Sequence, residues 1–285
     1  MKTSNILILI ASFLVLVFFA YPELNGRRVS VSDYKENRQQ TLEDLHADTY
    51  NFKRWVFDEP FHRIVIQDTL TGSYKITEAR QLRLVQAEGY GIKTDAVARE
   101  IKGYDLQNGV LTINMNLQYF DYKKNPLVIY APAFEDITLK NIKNMHIVNA
   151  HLDSLMVSAE ASSLVLDSTS MVQRLGVLGS KRSKVSVNLP KLASAYYTLK
   201  NSQLTHIADY CDVLTISGDL QSQVQLGDPG IKKKAPGFGR ITYNDQLGAL
   251  ILTGSKVDQI HGDVDKLHLN MDFAGFKALS AKINP

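Results

Sequence analysis

"LVLDSTSMVQRLGVLGS", residues 164–180, is too short and too interrupted for a helix, and it holds no Asn-Gly or Asp-Gly pair that would fold it into a hairpin. Its two apolar doublets, Leu164/Leu166 and Leu175/Val177, each alternate at a period of two, the period of a strand with one buried face. Ser, Thr and Gln separate them. The stretch reads as two strands joined by a polar link that turns a corner instead of reversing the chain.

The same unit recurs on both sides. Leu139, Val157, Val177, Leu199, Ile216, Leu252 and Leu269 form one series, and Ile147, Leu166, Val187, His206, Leu226 and Tyr243 a second, interleaved one. Apart from one gap of 36 residues, the steps run from 17 to 22. Such a unit cannot bury its inward pair alone, whereas stacking coils about 4.8 Å apart joins the pairs into a continuous core. The pattern predicts an all-β fold, a parallel β-helix or β-solenoid with about 17–22 residues per coil, preceded by an N-terminal hydrophobic helix. Val157, Leu166, Val177, Val187, Leu199, Ile216 and Leu226 are its expected inward residues. An antiparallel sandwich is the competing architecture, and the scarcity of hairpin turns after residue 132 argues against it. Corners are expected at "LKN" (139–141 and 199–201), "LGS" (178–180), "ISGD" (216–219) and "LTGS" (252–255), because Gly and Asn tolerate positive φ.

With these corners, and with "FHRIVIQD" and "GVLTINMN" as early strands, residues 61–285 resemble the auto-transporter adhesin head domains, the head GIN group common in Bacteroidetes. Several corners hold Lys-Asn, "SAE" or "DST" where that family has Gly-Ser. The resemblance implies a β-solenoid behind an export signal, and a non-enzymatic adhesion or scaffold role at the cell surface or in the envelope.

Before the repeats the chain divides into three parts. Residues 6–21, "ILILIASFLVLVFFAY", are uncharged and apolar, slightly short for a membrane span of about 20 residues and slightly long for a signal-peptide core. "FFAYPE" offers a poor cleavage site, which favours an uncleaved anchor over residues 1–21 and so a membrane as partner. Residues 22–54 are polar and read as a stalk or short helix, with weak helical periodicity at Leu42 and Leu45. From residue 55 to 285 the pattern is of strands, clearest as repeats over 134–285. "FHRIVIQ", "SYKIT", "QLRLVQ", "GVLTINMNL" and "NPLVIYA" come first, and Asn108-Gly109 marks a hairpin among them, so this block is expected to be locally antiparallel.

Composition narrows the function. The 285 residues are 45% hydrophobic, enough for a sizeable core. The 32 basic and 29 acidic residues leave a net charge of +3, too diffuse for nucleic acid as a partner. The single cysteine, Cys211, excludes an intramolecular disulfide and reads as a small buried hydrophobe. No nucleophile elbow, P-loop, dinucleotide fingerprint or His-Glu-x-x-His motif occurs, and no cofactor is expected. The closest histidine pairs, His146/His151 and His261/His268, lack an obvious third metal ligand, and His206 reads as a hydrogen-bonded or corner residue. The alternative to an adhesion module is a carbohydrate-active β-helix enzyme of the polysaccharide-lyase type. It would need acids stacked on adjacent coils, and the candidates Asp153, Asp167, Asp209, Asp212 and Asp219 fall at different offsets from their strands.

The gap in the first series holds "GDPGIKKKAPGFGR", residues 227–240. Proline cannot donate to a ladder and lysines are not placed inward, so residues 228–238 are expected to leave the coils as a surface excursion. Tyr243 would keep its place in the second face while the first face loses one strand. Lys232, Lys233, Lys234 and Arg240 are the candidate contacts to an anionic surface, such as lipid headgroups or acidic glycans, with a glycan or an envelope protein as the further expected partner.

Overall fold

The computed structural model describes residues 38–68, 80–95, 101–115, 126–207, 209–227 and 236–270. Seven strands precede the regular region: β1 (Phe52–Phe57), β2 (Arg63–Asp68), β3 (Arg80–Gln86), β4 (Tyr90–Asp95), β5 (Ile101–Gln107), β6 (Val110–Met115) and β7 (Leu127–Ala131). Next come β8 (Asp136–Lys140), β9 (Met145–Val148), β10 (His151–Glu160), β11 (Ser163–Leu166), β12 (Met171–Ser180), β13 (Lys184–Val187) and β14 (Lys191–Leu199). The last seven are β15 (Gln203–His206), β16 (Tyr210–Gly218), β17 (Gln223–Leu226), β18 (Gly237–Tyr243), β19 (Ala249–Thr253), β20 (Lys256–His261) and β21 (Leu267–Asn270). They form two large, mostly parallel sheets, ordered β1-β4-β7-β3-β9-β11-β13-β15-β17-β19-β21 and β20-β18-β16-β14-β12-β10-β8-β2-β6-β5. The fold is all-β, as the alternating pattern predicts.

From β8 onward the chain crosses between the sheets at every strand, and each strand pairs in parallel with the strand two on in sequence. In one sheet Ile137, Val157, Val177, Tyr197 and Ile216 lie opposite one another in turn. In the other, Ile147, Leu166, Val187, His206 and Leu226 do the same. All ten are buried, and so is Leu199, one strand position pair further along β14 than Tyr197. The seven expected inward residues are therefore core residues. Burying each such side chain contributes about 1.5–3 kcal/mol, and parallel registry joins them into one core between the sheets.

The corners are built by serine more than by glycine. Ser162, Ser183, Ser202 and Ser222 each sit just before a short strand and are buried. The hydroxyls of Ser162, Ser183 and Ser222 accept backbone N–H groups from the preceding unit, from Ile142 at 3.0 Å, Ser162 at 3.2 Å and Ser202 at 3.3 Å, and that of Ser202 donates to Lys200 O at 3.0 Å. Backbone donors that the corner takes out of the ladder are satisfied this way. Asp219 serves the same purpose, accepting from Asn201 N–H at 3.0 Å and from Ser222 Oγ at 2.7 Å. Burial raises the Asp219 pKa, but the hydrogen bonds from Ser222, Asn201 and Gln221 outweigh it and hold the carboxyl below its ordinary value. Asn141, Asn201 and Gly254 adopt positive φ at corners, as expected, and so do Ala161, Lys181 and Arg182, which no Gly or Asn signal marks. Gly179 and Gly218 are strand residues instead. A Cβ on Gly218 would stand 2.5 Å from Leu247 Cδ1, so this glycine answers to packing and not to turning.

The N-terminal block is not stacked in sequence order. β2 lies between β6 and β8, and β3 lies between β7 and β9, so the earliest parallel pair sits inside the stack and β6/β7 outside it. The Asn108-Gly109 hairpin forms as expected, with φ of 53° and 73°, and joins β5 to β6. β1 and β4 are antiparallel as well. Aromatic rings bridge the outermost strands of the two sheets, with Phe57 and Tyr104 centroids 5.1 Å apart. "SYKIT" lies outside the described residues, as do residues 6–21. Among the described residues no helix is long and apolar enough to cross a membrane.

Residues 42–49 cover the outer face of β7, where Leu42 and Leu45 pack on Val128 and Tyr130. Tyr130 donates its hydroxyl to Leu42 O at 2.8 Å. The buried Lys93 ammonium donates to Asp44 O at 2.5 Å and Ala47 O at 2.7 Å, and lies 5.6 Å from the centre of the Tyr130 ring. Burial lowers the Lys93 pKa against the opposing pull of Asp44. Three backbone and side-chain acceptors on one cation fix this segment in place.

The break in the repeat needs a correction. Ile216 lies opposite Tyr243, and Leu226 lies opposite Leu252. Tyr243 thus belongs to the first series and Leu252 to the second, so the two series exchange at the gap. Neither face loses a strand. The extra residues enter between Leu226 and Gly237, and β18 already includes Gly237 and Phe238. Pro236 also belongs to the sheets, because its carbonyl accepts Lys256 N–H at 2.8 Å.

Candidate functional site

The long strands of the second sheet each bend once. β10 has two exposed residues in succession, Asp153 and Ser154, where strict alternation would bury one. The same interruption falls at Gln173/Arg174, Asp212/Val213 and Asp258/Gln259. Pairing passes from Cys211↔Phe238 straight to Val213↔Arg240, leaving the corner residue out of the ladder. At the corner of β18 the residue is Gly239, where a Cβ would stand 2.5 Å from Asp212 O.

Before the bend, each short arm presents two outward positions. The first holds His151, Met171, Lys191, Tyr210, Gly237 and Lys256 on successive strands; the second holds Asp153, Gln173, Ala193, Asp212, Gly239 and Asp258. The first line carries the lysines and the tyrosine, and the second carries three aspartates. A groove of about 700 Å³ runs across the arms of β10, β12, β14 and β16, with Gln86 at the overhanging end of β3 as its wall. Asp212 is the residue of β16 that lines it, and Tyr210 stands two residues before Asp212 on that strand. One edge of the Tyr210 ring lies beside Gly237, whose Cβ, if present, would stand 2.8 Å from Tyr210 Cδ2. Partial desolvation and the adjacent Asp212 carboxylate push the phenol above its ordinary pKa.

The acids weighed for lyase chemistry do not converge. Asp153 and Asp212 hold equivalent corners, but three strand spacings part them, about 14 Å, and the strands between carry Gln173 and Ala193 there, so the two acids are not stacked on adjacent strands. Asp167 accepts Thr169 N–H at 3.0 Å within its own turn, and Asp219 is committed to its corner. No group of three or more metal-ligating side chains occurs among the described residues.

Arg240 is exposed on β18, and its Nε donates to Gln259 Oε1 of the neighbouring strand at 3.2 Å. Lys232, Lys233 and Lys234 lie outside the described residues. Cys211 is buried, and burial pushes its thiol up to about 12, far from thiolate chemistry at neutral pH. His206 is a core residue: its Nδ1 lies 2.7 Å from Tyr197 Oη, and its ring meets Phe238 edge-on with centroids 5.2 Å apart. Sequence reasoning passed over Lys191, Tyr210 and Lys256. Their signal was the first residue of each long strand, which becomes an aligned position only once the register is known.

No protein-family profile matches the chain, and no curated protein matches it significantly. Among solved structures, a protein named "putative adhesin" from Bacteroides fragilis is 12% identical, with a TM-score of 0.41 over 78% of this chain and 96% of its own. One so named from Parabacteroides merdae is 16% identical, with a TM-score of 0.38 over 76% of this chain and 94% of its own. A third, from Parabacteroides distasonis, is 12% identical at a TM-score of 0.37, over 77% and 96%.

Proposed function

We propose that the chain is a non-enzymatic adhesion and scaffold module of the bacterial envelope or cell surface, a β-solenoid held at a membrane by residues 6–21. The observation that carries this reading is the unbroken parallel register from β8 to β20, which aligns equivalent outward side chains along the stack. A stack of this kind offers an extended binding surface, where an enzyme needs groups converging on one bond. Glycans or envelope proteins are its proposed partners. Proteolysis of cells producing the full chain tests the location. A surface domain is cut in intact cells and a periplasmic one only after the outer membrane is permeabilised. Protection in both, with cleavage only on lysis, would overturn the reading.

Lys232, Lys233, Lys234 and Arg240 are proposed as a contact to anionic surfaces. Replacing the three lysines with glutamine should lower binding to vesicles rich in anionic lipid at low ionic strength, and the difference should vanish near 1 M salt, where the Debye length is about 3 Å. Equal binding of both proteins at low salt would reduce the segment to a solvated insertion.

A further inference from the structure

We infer that the short arms of the second sheet form a binding face for a neutral glycan chain, laid along the stack and seated on Tyr210. The inference rests on the reading of the chain as a non-enzymatic adhesion module. Tyr210 pairs with Lys191 on one side and with Gly237 on the other, and Gly237 pairs with Lys256. The glycine leaves the place beside Tyr210 without a side chain, and the Cδ2–Cε2 edge of the ring occupies part of it. Because Gly237 carries no side chain, this neighbour leaves the aromatic surface of Tyr210 uncovered. Tyr210 is 37% exposed, which leaves apolar surface for a ligand to cover.

The charges around Tyr210 select the ligand. Lys191 and Lys256 flank the tyrosine in its own line, and Asp212 and Asp258 stand two residues further along the same strands. A polyanion would meet the carboxylates and a polycation the lysines, each at like-charge cost. An extended peptide draws its affinity from the hydrogen bonds of a sheet edge, and this is a sheet face. A pyranose chain has an apolar C–H face for the ring and hydroxyls that both donate to carboxylates and accept from ammonium groups. It also carries no net charge. At a strand spacing of about 4.8 Å, Lys191 and Lys256 lie three steps apart and Asp212 and Asp258 two, so donors and acceptors are spread along the axis over the length of a short sugar chain.

The test uses the full chain in detergent and three probes, cellohexaose, N-acetylchitohexaose and maltohexaose, in equilibrium binding. At least one should bind, with little change between low salt and about 0.5 M salt. Tyr210→Ala should weaken that binding by about tenfold or more, while Tyr210→Phe, which keeps the ring, should retain it. Gly237→Val should weaken it as well, because the new side chain lifts the ring. Thermal denaturation of each variant separates lost binding from lost fold. Failure of all three probes to bind, or binding indifferent to Tyr210→Ala in a folded variant, would overturn the inference. Release of shorter sugars from a bound probe would instead overturn the non-enzymatic reading and leave the binding face standing.

Discussion

Val177→Asp should abolish cooperative folding at neutral pH or lower stability by about 4 kcal/mol or more, while Leu178→Asp, one residue on, should change it by less than about 0.5 kcal/mol. Val177 is fully buried between Val157 and Tyr197 of the neighbouring strands. A carboxylate there has no cationic partner and either stays charged at high cost or takes up a proton. Leu178 points the other way and is 39% exposed, so its replacement meets water. Urea denaturation of the two variants beside the parent protein reads the difference. Similar losses at both positions would mean that the strand does not alternate between core and solvent as described. The contrast is large because typical domains are stable by only about 5–15 kcal/mol in all.

Acid should expose the second large effect, at His206. The ring is fully buried, its Nε2 has no hydrogen-bond partner, and burial lowers its pKa to about 3. In the unfolded chain the same group titrates near 6.5. Between these values the unfolded state binds a proton that the folded state refuses. The stability that depends on neutral His206 is therefore complete above about pH 6.5 and is lost progressively as pH falls toward 3, by about 4–5 kcal/mol at the limit. His206→Leu alone leaves the Tyr197 hydroxyl buried without its hydrogen-bond partner, at a cost of about 1–3 kcal/mol. The double variant His206→Leu/Tyr197→Phe removes both polar groups and places an aliphatic side chain between Val187 and Leu226 of the neighbouring strands. Denaturant titrations at pH 7, 5.5 and 4.5 should show the parent losing stability faster than the double variant. Parallel losses would mean that His206 is accessible to protons in the folded chain.

How far the sequence discloses this arrangement varies by feature, for physical reasons. Which side chains face inward is legible, because a half-buried strand has a period of two, and Val157, Leu166, Val177 and Leu226 follow it. Which inward residue lies opposite which is less so. Leu199 and Tyr197 face the same way two residues apart, and only the backbone pairing places Tyr197 beside Val177. The exchange of the two series after residue 226 has the same origin: the insertion lengthens the step in both faces, from Ile216 to Tyr243 and from Leu226 to Leu252, and spacing alone does not say which strand continues which face. The placement of β2 and β3 inside the stack depends on long-range pairing for which no local residue codes. Serine at the corners was readable in principle. "SSLVL", "SKVSV", "SQLTH" and "SQVQL" each open with the buried hydroxyl, but a search for positive φ looks for Gly and Asn and passes over a residue whose task is to accept a hydrogen bond. The candidate face was least visible. Lys191, Tyr210 and Lys256 are ordinary surface residues until the bend and the register bring them into one line.

The proposal that the strand pairs wind as a solenoid is tested most directly by distances between spin labels counted in strands. In a Cys211→Ala background, cysteines at Ser154 and Gln259 are five parallel steps apart, and those at Arg174 and Gln259 four. The expected backbone separations are about 24 Å and about 19 Å. Val165 and His268, five steps apart in the other sheet, should match the first pair. Pulsed dipolar spectroscopy that gives two matching long distances and one shorter by about one strand spacing is the predicted result. Distances that do not scale with the number of strands between the labels, as in an antiparallel sandwich, would contradict it.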